Sequence, residues 1–157
     1  MERIYSIKGR SRNKPLILLG SKIEYLFPYI STIPEKAVEI IDKYLPGAVT
    51  LILPKSDITP EYITSGFDTV GIRIPDCTPF IELLENCVES HVLATTSANI
   101  SGEKATASKL EVEESIGQEA DYILDDYGYM PAGIESTVVS VDISGNVKIL
   151  RQGKVFL

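Results

Sequence analysis

Lys8-Gly9-Arg10-Ser11-Arg12-Asn13-Lys14-Pro15-Leu16-Ile17-Leu18-Leu19 joins four basic residues in seven positions to a short apolar run. With 15 Lys plus Arg in 157 residues, an even spread would put fewer than about one in such a window. The net charge is -7, so this cluster is where the chain would meet a phosphate or carboxylate. Gly9 lets backbone approach closely. Arg10 supplies a planar fork and Lys14 a mobile point charge. Pro15 ends any helical tendency, and residues 16–19 read as a buried strand. The stretch predicts an anion clamp on the lip of a strand. Taken alone, it reads equally as a solvated basic loop.

The rest of the chain can be laid beside that strand. Upstream, residues 2–7 read as the last turns of a helix, with Ile4 and Ile7 on one face. Downstream, Ser21 and Glu24 have capping-box spacing for a brief helix that Pro28 stops. Pro34 opens a second helix with apolar Ala37, Val38, Ile41 and Leu45 at a 3.6-residue period, ended by Pro46-Gly47. Residues 49–53 form a β-rich strand, and 58–67 a polar connection with room for one helical turn. Residues 69–74 alternate as a strand. Residues 80–87 form a helix behind Pro79, and 92–96 another buried strand. Residues 109–116 are helical, capped by Ser108 and stopped by Gly117. Residues 122–124 read as a short strand and 125–133 as a turn-rich loop. Residues 137–141 and 147–150 pair as a hairpin across Ser144-Gly145-Asn146. Six or seven strands with four helices predict one α/β (α+β) domain over residues 1–157, a twisted mixed parallel and antiparallel sheet with flanking helices.

Composition narrows the chemistry. A length of 157 residues allows a single domain to bury roughly 70% of its unfolded surface. The acidic balance argues against broad nonspecific binding of nucleic acid or anionic membrane. The apolar runs are too short to span a bilayer, and Met1-Glu2-Arg3 begins no secretory signal. Two cysteines and one histidine exclude a Cys/His zinc site, so no metal site is expected from protein ligands. Cys77 and Cys87 read as buried or half-buried free thiols of a cytoplasmic protein. There is no P-loop and no G-x-G-x-x-G. There is no nucleophile–His–acid set either, because His91 precedes a buried strand and reads as a surface or structural residue.

Three further stretches carry polar chemistry. Thr95-Thr96-Ser97-Ala98-Asn99-Ile100-Ser101-Gly102 ends a strand in hydroxyl and amide donors, at the sheet edge where open α/β sheets bind ligands. Arg73 is a charge inside an apolar strand, and burial there would require a counter-ion or ligand. Ile134-Glu135-Ser136-Thr137-Val138-Val139 opens a strand with hydroxyls, and Arg151-Gln152-Gly153 ends the last one.

Together these stretches resemble the YrdC-like family, the threonylcarbamoyl-AMP synthases. The matches run in the family's order: Lys8-Gly9-Arg10 with Lys14-Pro15-Leu16, Pro46-Gly47-Ala48-Val49-Thr50, Val70-Gly71-Ile72-Arg73-Ile74-Pro75, Thr96 to Gly102, Glu135-Ser136-Thr137-Val138-Val139, and Arg151-Gln152-Gly153. The resemblance implies a concave basic cavity and an enzyme, a nucleotidyltransferase. It would join L-threonine, bicarbonate and ATP into threonylcarbamoyl-adenylate and pyrophosphate for tRNA threonylcarbamoyladenosine, with Mg²⁺ carried on the ATP phosphates. Carried over by position, Lys8, Arg10 and Lys14 are implied as the catalytic polyphosphate clamp. Arg10, Lys14, Thr69, Ser97, Asn99 and Arg151 are implied on the ATP side, and Arg73, Thr95 and Ser136 on the threonine side. Implied partners are tRNA or double-stranded RNA and the tRNA-modification proteins acting downstream, with no membrane. The alternative is an RNA- or nucleotide-binding module without catalysis. The chain departs from the family in having no Pro-Thr-Asp/Glu-Thr-x-Tyr-Gly-Leu segment, so the domain is expected to be N-terminally incomplete. Ala105-Thr106-Ala107 also stands where the family favours Ser-Pro-Thr.

Overall fold

Successive residues of a strand point to opposite faces of a sheet, and here the two parities carry different chemistry. The computed structural model describes residues 2–125, 127–129 and 133–157. The strands are β1 (Ile17–Gly20), β2 (Val49–Pro54), β3 (Thr69–Arg73), β4 (Val92–Thr95), β5 (Thr137–Val141) and β6 (Val147–Arg151). They form one six-stranded sheet in the order β4-β1-β3-β2-β5-β6. β1 runs parallel to β3 and β2 parallel to β5, while the other pairings are antiparallel.

One parity makes the core. Leu18, Val49, Leu51, Leu53, Val70, Ile72, Val139 and Val141 are buried with Leu16, Leu26, Ala37, Ile40, Ile41 and Ile63. The helices are α1 (Glu2–Lys8), α2 (Ile23–Leu26), α3 (Glu35–Tyr44), α4 (Glu61–Thr64), α5 (Thr78–Cys87) and α6 (Lys109–Ile116). The other parity leaves Ile17, Leu19, Thr50, Ile52, Gly71, Arg73 and Val138 facing away from that core. Register aligns them: Ile17 pairs with Gly71 and Thr95, Leu19 with Arg73, Ile52 with Gly71, and Thr50 with Val138.

Several local expectations are corrected. Residues 122–124 form no strand; Ile123 and Leu124 line a hollow with Lys109 and Val112 of α6 instead of joining the sheet. Ser21 does not cap α2. The N-cap is Lys22, with no side-chain cap bond, and Ser21 is buried beneath the turn at 7% exposure. Pro34 is the N-cap of α3, whose inward stripe is Ala37, Ile40 and Ile41, while Val38 is 42% exposed. Gly117 does end α6, as its C-cap, but at φ -61° rather than in a left-handed stop, and the chain passes there into a 3-10 turn. Ser108 caps the other end, its hydroxyl accepting from Glu111 N at 3.2 Å. Cys87 is exposed rather than buried. The loop expected over 125–133 lies partly outside the described residues.

Candidate functional site

The polar parity of the sheet forms the floor of a hollow of about 490 Å³. Pro15, Ile17 and Leu19 of the β1 approach, Thr50 and Ile52 of β2, and Val138 of β5 line it together with Phe80. Gly71 lies in this floor between two side chains. A Cβ there would meet Ile17 Cγ2 at 2.8 Å and Ile52 Cδ1 at 3.1 Å. Around the floor stand Arg10, Arg73, Thr95, Thr96, Ser97, Glu135, Ser136 and Arg151. Six of the residues singled out from sequence therefore meet in one place, although they lie as far apart in the chain as Arg10 and Arg151.

Each is held by a specific contact. Arg10 Nη2 donates to Pro15 O at 2.9 Å, which folds the basic loop back on itself. Arg73 leaves the end of β3 with its Nε donating to Gly47 O at 2.8 Å. Burial holds the Arg73 pKa below the ordinary arginine value; nearby Tyr129 opposes this and Arg151 adds to it. Thr95 Oγ1 donates to Ile17 O at 3.3 Å. Ser136 and Thr50 are buried, with their hydroxyl oxygens 2.9 Å apart. Arg151 Nη2 donates to Ser136 O at 3.0 Å and to Ser136 Oγ at 3.4 Å, and its Nη1 pairs with Glu135 at 2.8 Å. Arginine is only a donor, so Ser136 Oγ accepts from it, and the remaining hydroxyl proton is shared with Thr50. Three guanidinium groups and one carboxylate, the latter paired with Arg151, line the hollow, an excess of positive charge that binds anions.

Gly153 explains why this corner is built as Arg-Gln-Gly. A Cβ at Gly153 would collide with Glu135 O and approach Ser136 O at 2.6 Å. Its N–H donates to Thr137 Oγ1 at 3.0 Å. The glycine lets the chain after β6 lie against the backbone that carries Ser136.

Two neighbouring hollows share walls with the first. One, of about 610 Å³, joins it through Arg73, Ser97 and Glu135 and adds Lys43, Cys77, Tyr129 and Lys154. The other, of about 410 Å³, is largely apolar, with Phe80, Ala98, Ala105, Val112, Ile123 and Leu124 among its walls. Ser97 lines all three.

The other residues expected at the site lie elsewhere. Lys8 is buried beneath the loop at 3% exposure, its ammonium donating to the carbonyls of Ser97 and Asn99. Asn99 is turned inward, its Nδ2 donating to Glu103 O at 2.8 Å. Lys14 is exposed and reaches Ser101 Oγ at 3.4 Å. Thr69 has the parity of Arg73 but is four residues down the strand, roughly 13 Å away at the usual rise. There it is exposed and paired with Pro54. Sequence reasoning missed Thr50, Glu135, Phe80, Cys77 and Tyr129. Thr50 and Glu135 carried a signal, since each lies in a stretch that matches the family, Pro46 to Thr50 and Glu135 to Val139. His91 is structural: its Nδ1 lies 3.1 Å from Leu84 O and its ring 4.4 Å from that of Tyr25.

The family model for Sua5, YciO and YrdC, described as "Telomere recombination", matches residues 1–153. The chain belongs to the Sua5/YciO/YrdC family. Its relatives include a threonylcarbamoyl-AMP synthase of Pyrococcus abyssi, 36% identical over 141 residues. Another, from Bacillus subtilis, is 36% identical over 142 residues. The alignments cover 90% and 89% of this chain but 41% and 40% of those proteins, so the chain spans less than half their length. A crystal structure of P. abyssi Sua5 complexed with L-threonine superposes with a TM-score of 0.87 at 36% identity, over 97% of this chain and 44% of that one. The chain therefore shares the fold of that Sua5 domain.

Proposed function

We propose that this chain is a threonylcarbamoyl-AMP synthase domain, making threonylcarbamoyl-AMP and pyrophosphate from L-threonine, bicarbonate and ATP. The observation that carries the reading is the meeting of Arg10, Arg73, Arg151, Ser97 and Ser136 on one hollow, in a backbone similar to one solved with L-threonine. In this reading Arg73, Ser136 and Thr95 hold the threonine carboxylate. Arg10, Ser97 and Arg151 face the ATP phosphates, and the apolar hollow beside Phe80 and Ala98 takes the nucleoside. The threonine amine bonds to the bicarbonate carbon as a C–O bond breaks and water leaves, giving a carbamate. A carbamate oxygen then bonds to the α-phosphorus as its bond to the pyrophosphate oxygen breaks. Charge gathers on the departing pyrophosphate, where preorganised guanidinium groups lower the barrier. Held reactants remove the entropic part of it, and no covalent enzyme nucleophile is needed.

Mg²⁺ enters with the ATP as its counter-ion, as such ions ordinarily do; among the described residues no group of three or more His, Cys, Asp and Glu gathers to hold a metal. The product is handed to tRNA-modification proteins in the cytoplasm, with tRNA as the final acceptor. Among the described residues no helix is long and apolar enough to cross a membrane. The test is pyrophosphate release from ATP that requires both threonine and bicarbonate, with the adenylate identified by mass. Release independent of threonine sinks the proposal. ATP binding without turnover leaves a nucleotide-binding module.

A further inference from the structure

Lys8 ends α1, and both its backbone and its side chain grip the turn after β4. Gly9 at φ +55° breaks the helix there, and Lys8 O accepts from Ser101 N at 2.8 Å. The ammonium donates to Ser97 O, to Asn99 O, and at 3.4 Å to Asn99 Oδ1. An ammonium has three donors and no acceptor, so three oxygens of one turn occupy all of them. A phosphate contact from Lys8 would leave one of these carbonyls unpaired in a buried place, which is unfavourable.

The same grip sets the direction of the next amide. Ser97 C=O and Ala98 N–H belong to one planar trans peptide and point opposite ways. With the carbonyl drawn onto the ammonium, the Ala98 N–H is turned away from it. Ala98 C=O is held separately by Thr106 Oγ1 at 3.1 Å. Ser97 and Ala98 are wall residues of the hollows, and among the described residues Ser97 Oγ makes no hydrogen bond.

We propose that Lys8 is a positioning residue and not an anion ligand: it fixes the turn at residues 97–99 so that the Ser97 hydroxyl and the Ala98 N–H meet the substrate anion whose charge Arg10 and Arg73 take up. The inference rests on the reading of these hollows as the ATP and threonine site. It divides the basic loop into an inward lysine that shapes the turn and an outward arginine that touches the ligand.

The test is calorimetric titration with ATP across a salt series, for wild type, Lys8→Met, Arg10→Ala and the Lys8→Met/Ser97→Ala pair. Arg10→Ala flattens the slope of log Kd against log salt by about one ion. Lys8→Met weakens binding roughly ten- to a hundredfold, the scale of a disrupted buried polar contact, with the wild-type slope. The double variant binds no more weakly than Lys8→Met, because Ser97 acts through the turn Lys8 holds. A slope flattened as in Arg10→Ala, an unchanged affinity, or additive losses in the pair overturns the proposal. Should Lys8→Met fail to fold, wild-type NMR decides. ATP or pyrophosphate then shifts the Ala98 amide and leaves the Lys8 ammonium signal in place; a Lys8 shift as large as that of Ala98 overturns the inference. Wild-type protein that binds neither probe overturns the parent reading, and this inference with it.

Discussion

Arg73 shows how one residue can be read from both sides. In sequence it interrupts apolar β3. In space it is the half-buried guanidinium where two hollows meet, tied by Nε to Gly47 O at 2.8 Å. Burial holds its pKa below the ordinary value, so the site carries a charge whose desolvation a bound carboxylate would offset. Arg73→Lys keeps the charge and loses the fork, which makes it a non-conservative change. It should cost threonine affinity about 1.5–3 kcal/mol, the scale of a charge-assisted hydrogen bond. Threonine titration of the two proteins checks this; equal affinities would remove Arg73 from the carboxylate. Lys8 and Asn99 were legible as members of the site's motifs. That they face inward was not, because a basic or amide side chain in a loop has the same sequence signature whichever way it turns.

At the scale of elements, β3 was readable from its alternation, and Gly71 within it stood only as part of a stretch that matches the family. In the sheet it is a necessity. Gly71→Ala drives a methyl toward Ile17 and Ile52 in the floor of the hollow. Overpacking of this kind costs about 1–3 kcal/mol, to be seen as a lower denaturant midpoint with an unchanged slope. The β5–β6 hairpin was also legible, although its turn chemistry was not. Asp142 accepts from Ser144 N at 2.8 Å, from Asn146 N at 3.0 Å and from Asn146 Nδ2 at 2.8 Å. Those bonds, led by the Asn146 side chain, hold its carboxyl below the 3.8 of an unfolded aspartate. The unfolded state therefore takes up the proton first as pH falls. Any stability this adds is present above pH 3.8 and lost as pH drops through the folded value. The gap in melting temperature between wild type and Asp142→Ala should close on acidification; a gap that widens would contradict the assignment. The strand expected at 122–124 did not form: Ile123 and Leu124 line the apolar hollow beside α6 rather than extending the sheet.

For the whole molecule, the site draws on Arg10 near one end of the described chain and Arg151 near the other. A ligand there ties both to the sheet. ATP at a hundredfold excess over Kd should stabilise the fold by about 2.7 kcal/mol, a rise in Tm of a few degrees at this size. Arg10→Ala and Arg151→Ala should each shrink that rise. Full retention in both variants would show that the ligand sits elsewhere.

The amino-acid order alone determined the elements and their two-sided character. A buried strand, a helix stripe and a cluster of like charges are local patterns with fixed periods. It also determined which motifs belonged together, through their shared resemblance. Only the tertiary structure decided which polar residues share the hollow. Sheet order and register place Ile17, Gly71, Ile52 and Arg73 on one face, bring Ser136 and Arg151 to its rim, and leave Thr69 at the far end of the same strand. Side-chain direction in loops followed the same rule. Lys8 points inward because the carbonyls of Ser97 and Asn99 must be satisfied there, a requirement that arises only once a turn ninety residues away has packed against α1.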